Sequence, residues 1–135
     1  MREILFRGKR VDNGEWIEGC FLDKNNIGIF YDDTEESDCA VHIFSVISKT
    51  VGQYTGLTDK NGKKIFEGDI IDTPDRLVKV VWFAGNAQFD LHFIRYTDDI
   101  TITNFKGIHM RDLKEYEVIG NIHDNLELLE DNDND

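Results

Sequence analysis

Short runs of β-branched and aromatic residues recur along the chain, separated by glycine, asparagine and aspartate. Such runs predict strands, because branched and aromatic side chains suit a pleated surface and the separating residues favour turns. Helical periodicity is confined to Met110–Lys114 and Asn125–Leu129, which predict single turns. The predicted strands are Ile4–Phe6, Trp16–Leu22, Ile27–Tyr31, Val41–Ile47, Ile65–Ile71, Leu77–Phe83, Phe89–Tyr96, Ile100–Phe105 and Tyr116–Ile122.

Two Asn-Gly pairs, Asn13-Gly14 and Asn61-Gly62, predict tight reversals between strands. Glycine adopts a positive φ without a Cβ clash, and asparagine tolerates one, so both pairs are typical of β-hairpins. Each pair is followed by an isoleucine and then by Glu-Gly. This similarity leaves two origins open, a duplicated hairpin or convergent turn chemistry.

A glycine-aspartate step, Gly68-Asp69, leads into a β-branched run, and a second strong run follows at Leu77–Phe83. This arrangement is typical of small SH3-like barrels, in which a short sheet rolls up and removes its free edges. We therefore predict a mostly β fold of antiparallel hairpins with an SH3-like small barrel and one or two short helical turns.

The length of 135 residues fits one domain, which we place at residues 1–129. Within it, an N-terminal hairpin subdomain at 1–50 and a barrel part at 51–129 are possible. The net charge is −12, and nine of the negative charges lie in a loop at 32–38 and a tail at 130–135. Like charges repel and stay solvated, so we expect a disordered acidic tail. The alternative for both segments is an acidic lure for a basic partner or a mimic of nucleic-acid phosphate.

Composition and motifs exclude several classes of function. No apolar run approaches the ~18 residues of a membrane span, and the first residues lack the apolar region of a signal peptide, so we expect a cytoplasmic protein without membrane contact. Cys20 and Cys39 are far apart and have no paired histidine motif, which excludes a zinc signature. No nucleophile elbow, P-loop or zinc-protease motif occurs. We predict a protein that is not an enzyme, with no catalytic, cofactor-binding or metal residues.

Four carboxylates, Asp59, Glu67, Asp69 and Asp72, are the nearest approach to a catalytic or metal site. Asp59 to Gly62 resembles the start of a calcium loop, but Lys63 follows where a cation would be repelled, so a turn is favoured. Glu67 and Asp69 have the same parity on the predicted strand and would share one face. A general acid/base pair is one interpretation of them, and the solvated side of a strand is the favoured one.

A polar and aromatic triplet between two glycines suggests a surface for recognition. The glycines favour tight backbone geometry, which either presents the triplet to a partner or forms a corner with Tyr54 packed inside. The possible recognition surface consists of Gln53, Tyr54, Thr55, Asp59 and Asn61.

The last strong aromatic strand has apolar residues on both faces. Strand parity places Phe89, Leu91 and Phe93 on one face and His92, Ile94 and Tyr96 on the other. A core on one side and a subunit contact on the other would use both faces, which predicts a homo-oligomer. A base-stacking platform that includes Trp82 and Phe83 is the weaker alternative, because only Arg76, Lys79 and Arg95 supply positive charge nearby.

Three segments resemble the YopX-like proteins of phages and prophages: the central VGQYTGLTDKNGKKIFEGDI at 51–70, the opening REILFRG at 2–8 and the closing VIGNIHDN at 118–125. Leu126 stands where that family often has proline, which concerns only the local turn. The resemblance implies a mostly β, phage-borne protein in the cytoplasm of a bacterial host. It implies no activity, substrate or catalytic residue.

We therefore expect a phage or prophage accessory protein of unknown role that acts as a non-enzymatic protein-interaction or assembly module. Its protein partner is not indicated by the sequence, and its own copies are the favoured choice. The alternative is a nucleic-acid-associated regulatory protein of phage replication or transcription. No cofactor is expected in either case.

Overall fold

The computed structural model describes residues 4–31, 40–85, 87–96 and 109–129. The acidic loop 32–38, Cys39, the predicted strand Ile100–Phe105 and the tail 130–135 lie outside the described residues. The chain divides into two compact units, Met1–Tyr54 and Thr55–Asp135. The single domain at 1–129 remains a prediction.

The described residues form antiparallel strands with a few short 3₁₀ turns, which confirms the mostly β fold. The 3₁₀ turns are Ser48–Thr50, Met110–Glu115 and Leu126–Leu129, and the last two correspond to the predicted helical turns. The strands are β1 (Phe6–Lys9), β2 (Trp16–Asp23), β3 (Asn26–Tyr31), β4 (Ala40–Ser45), β5 (Gly52–Thr58), β6 (Lys64–Phe66), β7 (Asp69–Asp72), β8 (Arg76–Phe83), β9 (Gln88–Tyr96) and β10 (Glu117–Asn121).

In the first unit the strand order is β4-β3-β2-β1-β5. The predicted Asn-Gly reversal joins β1 to β2: Gly14 has φ +72° and its N–H donates to the Arg10 carbonyl at 3.0 Å. An isolated bridge between Arg10 and Val46 links the end of β4 back to β1. Ile27 and Val46 are buried on the inner side, where the backbone of Gly8 lies against both side chains.

In the second unit the end of β5 and β6 form the second Asn-Gly hairpin, and a four-stranded sheet has the order β10-β7-β8-β9. Apolar side chains from the hairpin, this sheet and the 3₁₀ turn at Met110–Glu115 pack together, because each element contributes one apolar side to a common interior. The buried core consists of Ile65, Ile71, Val78, Val80, Phe89, Leu113 and Val118.

Three sequence expectations differ from the structure or go beyond it. The single strand predicted at Ile65–Ile71 is wrong: Gly68 has φ +92°, and a turn there separates β6 from β7. The sequence pattern did not predict β5, because its glycines suggested a corner. No closed barrel forms among the described residues, so the SH3-like barrel stays a prediction.

Candidate functional site

The second Asn-Gly hairpin is organised by one buried carboxylate. Asp59 is 4% exposed. Its Oδ1 accepts hydrogen bonds from the N–H groups of Asn61 at 2.8 Å and Lys63 at 2.9 Å. Its Oδ2 accepts the N–H of Val118 in β10 at 3.0 Å. Asp59 therefore closes the turn and joins the hairpin to β10.

The ionised form of Asp59 is the one that these contacts favour. Burial raises the pKa of this carboxyl, but the backbone N–H groups of Val118, Lys63 and Asn61 lower it by more, so the net shift is downward. Three N–H donors directed at a carboxylate stabilise its negative charge. Asp59 is therefore a structural anion, because both of its carboxylate oxygens accept backbone N–H groups.

Further contacts join the same hairpin to β10. The Lys60 N–H donates to the Tyr116 carbonyl at 2.9 Å, and Asn61 Nδ2 donates to the Glu117 carboxylate at 3.1 Å. The central sequence motif thus meets the residues directly before the closing motif. Both motifs serve the same junction within the second unit.

The closing motif forms its own hydrogen-bonded loop. Asn121 Oδ1 accepts the N–H groups of His123 and Asp124, each at 2.9 Å, and Asn125 Oδ1 accepts the N–H of Asn121 at 3.1 Å. The Ile122 N–H donates to the carbonyl of Gly68 at 2.9 Å. This loop therefore holds the turn that separates β6 from β7.

The carboxylates considered as an acid/base pair have different positions from those predicted. Glu67 lies in the turn, whereas Asp69 is the first residue of β7, so the two do not share a strand. Asp69 is 1% exposed, and its Oδ2 accepts the N–H of Phe66 at 2.8 Å. The Asp69 side chain therefore accepts a backbone hydrogen bond, as that of Asp59 does.

The possible recognition surface divides into buried and accessible residues. Tyr54 in the first unit is buried, and its N–H donates to the Leu5 carbonyl at 2.8 Å. Thr55 in the second unit is buried, and its hydroxyl donates to the Ile65 carbonyl at 2.8 Å. With Asp59 also buried, only Gln53 and Asn61 have exposed surface, and recognition through them stays a prediction.

A polar cleft of about 450 Å³ lies beside the hairpin in the second unit. Burial raises the pKa of the Tyr116 phenol, and the nearby carboxylates of Asp112 and Glu115 raise it further. Within the described part of the chain, no cluster of three or more histidine, cysteine or acidic side chains is arranged to hold a metal ion. The cleft is lined by Lys60, Asp72, Thr73, Pro74, Glu115, Tyr116 and Glu117.

An exposed aromatic surface lies along β9, at one edge of the four-stranded sheet. Trp82 opposes Phe89, and their rings meet edge to face at a centroid distance of 5.1 Å. Phe93 and Tyr96 have ring centroids 4.7 Å apart. Trp82, Phe93 and Tyr96 are 45%, 51% and 40% exposed. We call Trp82, Phe89, Phe93 and Tyr96 the aromatic row.

A β-bulge creates the second half of this row. Val78 opposes Phe93 and Leu77 opposes Arg95, so Ile94 is an extra residue in β9. The extra residue resets the alternation of faces, which brings Tyr96 to the side of Phe93. Simple parity predicted these two residues on opposite faces, and that prediction is wrong because it had no means to include the bulge.

The first unit carries a different aromatic cluster. The guanidinium carbon of Arg7 lies 4.5 Å from the centre of the Trp16 ring, and Lys9 Nζ lies 5.8 Å from the same ring. Arg10 stacks on Phe44 at 4.8 Å and also forms an ion pair with Asp12 at 2.7 Å. These cations are engaged within the unit, which is typical of cation–π stabilisation.

The geometry thus defines a mostly β protein in which a central and a closing motif are held together by buried polar groups. A family model described as YopX protein matches residues 5–130. The chain belongs to this family, as the resemblance of its three segments indicated.

One solved structure is similar to this chain over most of its length. The crystal structure of protein EF1440 from Enterococcus faecalis matches with 26% sequence identity and a TM-score of 0.59. The match covers 96% of this chain and 100% of that chain. No match was found among curated proteins. Among the described residues, no helix combines the length and apolar character needed to cross a membrane.

Proposed function

We propose that the chain is a non-enzymatic assembly module that self-associates through the aromatic row on β9. In this proposal it is an accessory protein of a phage or prophage and acts in the cytoplasm of the bacterial host. The observation that carries the proposal is the exposure of Trp82, Phe93 and Tyr96 along one face of β8 and β9.

The aromatic row differs from scattered surface hydrophobic residues. Its members form two ring pairs, and Leu91, which packs against the core, lies on the same face between them. The row is therefore continuous with the interior of the second unit. Aromatic side chains are enriched in interface hot spots, because they bury much area and lose few rotamers on binding.

The motif carboxylates support a binding role over a catalytic one. Both oxygens of Asp59 accept backbone N–H groups, and Asp69 is buried with a backbone bond of its own. A carboxyl group acts as a general acid or base only when it lies within reach of a substrate. Asp59 and Asp69 instead accept backbone hydrogen bonds that stabilise the fold.

The first test replaces an aromatic ring at the centre of the exposed row. We expect Phe93→Ser to weaken self-association by at least about tenfold, because the ring provides a large apolar contact. Analytical ultracentrifugation over a range of protein concentrations measures the effect. Ile119→Ser is the matched control, since Ile119 is 38% exposed but lies on β10 at the other edge of the sheet. Equal association of the two variants would count against the row as the contact.

A nucleic-acid-associated role is the second candidate, and the cation–aromatic cluster of Arg7, Lys9 and Trp16 is the observation that favours it. It ranks second because Arg7 is buried and stacked within its own unit. If this role is correct, fluorescence anisotropy with labelled single-stranded DNA will show binding that weakens steeply as salt rises. Lys9→Gln should then reduce the affinity, and binding that is absent at low salt removes this candidate.

A further inference from the structure

The outer side of β9 presents backbone groups to the sheet edge, as the hydrogen bonds of its neighbour show. The Val80 carbonyl accepts the N–H of Gly68 at 2.8 Å, so it points away from β9. Val80 opposes Leu91, and the two therefore form a pair without mutual backbone hydrogen bonds. The N–H and C=O groups of Leu91 accordingly point to the outer edge.

A side chain meets one of these edge groups. The Leu91 N–H donates to Oδ1 of the preceding residue, Asp90, at 2.9 Å. In the described part of the chain, no strand pairs with this edge of β9. The alternation of strand groups gives Phe89 and Phe93 the same outward direction as Leu91. The backbone groups of these residues thus have the spacing of an antiparallel ladder.

In an antiparallel pairing of two copies of β9 centred on Leu91, each side chain meets one of compatible chemistry. If two copies align antiparallel with Leu91 opposite Leu91, Phe89 lies opposite Phe93 on one face. Asp90 then lies opposite His92 on the other face. An imidazole N–H donates to a carboxylate, so both polar positions find a partner of suitable chemistry. Cross-strand aromatic pairs and polar pairs of this kind stabilise sheets.

We propose that two copies of this chain pair edge to edge through β9, in antiparallel register centred on Leu91. This proposal rests on the proposed self-association and specifies its geometry. The Leu91 N–H exchanges its bond with Asp90 for a bond to the Leu91 carbonyl of the second copy. The released Asp90 carboxylate then accepts a hydrogen bond from His92 of that copy. The aromatic rows of both copies join into one surface.

The centre at Leu91 is preferred over the neighbouring centre at His92. That register would place Phe89 opposite Arg95 and Asp90 opposite the bulged Ile94. Arg95 already donates to the Leu128 carbonyl at 2.6 Å. A centre at Leu91 confines the ladder to the regular part of the strand before the bulge, where the aromatic and polar pairs match.

Disulfide trapping tests the register directly. In the full chain with Cys20→Ser and Cys39→Ser, we expect Leu91→Cys to form a covalent dimer under mild oxidation. The two Cα atoms at a self-paired position are about 5.5 Å apart, which a disulfide spans. Gln88→Cys is the matched control on the same strand. In this register its two copies are about 20 Å apart along the strand, so it should cross-link far more slowly.

Analytical ultracentrifugation of the same variants under reducing conditions distinguishes a failure of the register from a failure of self-association. If the reduced Leu91→Cys chain forms dimers and both variants cross-link equally, the edge register is wrong and self-association stands. If every variant and the parent chain remain monomers, both proposals are wrong.

Hydrogen exchange of the unsubstituted chain gives an independent readout. The Leu91 amide should exchange at least about tenfold more slowly at a dimer-forming concentration than at a monomer-forming one, because a strand ladder then protects it. An unchanged rate in a sample that does form dimers overturns the register.

Discussion

Asp59→Ala is expected to lower the free energy of unfolding of the second unit by about 4 kcal/mol. The substitution leaves three N–H donors, those of Asn61, Lys63 and Val118, without the carboxylate that accepts them. Each buried donor that loses its partner costs about 1–3 kcal/mol, and bonds to a charged acceptor are the stronger ones. The effect is large because one side chain serves both the turn and β10.

Urea unfolding followed by fluorescence measures this loss. The chain has two tryptophans, Trp16 in the first unit and Trp82 in the second. A Trp16→Phe background therefore leaves Trp82 to report on the second unit. Asp72→Ala is the control, because Asp72 is an exposed carboxylate in the same unit. If both substitutions cost the same small amount, Asp59 does not hold the junction.

The pH dependence of this contribution has a definite sign. The pKa of Asp59 is lower in the folded chain than in the unfolded chain, where it is about 3.9. Its contribution is therefore fully present above about pH 4 and is lost as the pH falls through the folded pKa. Asp59→Asn cannot titrate at this position. The stability difference between the parent chain and Asp59→Asn should accordingly shrink below about pH 4.

Gly19→Ala is expected to destabilise the first unit by about 3 kcal/mol. A Cβ at this position would overlap the carbonyl oxygen of Gly28 on the neighbouring strand and would press on the Ile27 side chain. Backbone cannot rotate away as a flexible side chain does, so β2 and β3 have to separate locally. Overpacking of this kind typically costs about 1–3 kcal/mol, and the lost pairing adds to it.

Gly14→Ala is the matched control for this second substitution. Gly14 has φ +72°, and a Cβ there would meet nothing within 4 Å. The left-handed backbone alone costs about 1–2 kcal/mol for a residue with a side chain. Urea unfolding of both variants in a Trp82→Phe background, with Trp16 as the reporter, compares them. A cost for Gly19→Ala no larger than that for Gly14→Ala contradicts the close approach of β2 and β3.

Local patterns predicted much of the fold. The alternation at Trp16–Leu22 and the runs at Leu77–Phe83 and Phe89–Tyr96 match β2, β8 and β9 to within one residue at each end. The reversal at Asn61-Gly62 occurs as expected, since Gly62 has φ +81°. These features depend on neighbours in sequence, so the sequence contains enough to predict them.

Features that depend on residues far apart in the sequence could not be predicted from local patterns. Nothing near Asp59 in sequence indicates that Val118, 59 residues later, donates to its carboxylate. The bulge at Ile94 arises from pairing with β8 and moves Tyr96 to another face. The chain turns at Gly68, which has φ +92° and whose carbonyl accepts the N–H of Ile122, so the structure has two strands where one was predicted. The residues of the aromatic row were therefore predicted from the sequence, but the face on which Tyr96 lies was not.

The mass of the unsubstituted chain in solution tests the central claim most directly. Sedimentation equilibrium from about 1 µM to about 200 µM covers the affinities expected of a modest interface. Self-association through β9 predicts a weight-average mass that rises with concentration from 15.6 kDa toward twice that value. A mass that stays at 15.6 kDa over the whole range would contradict it.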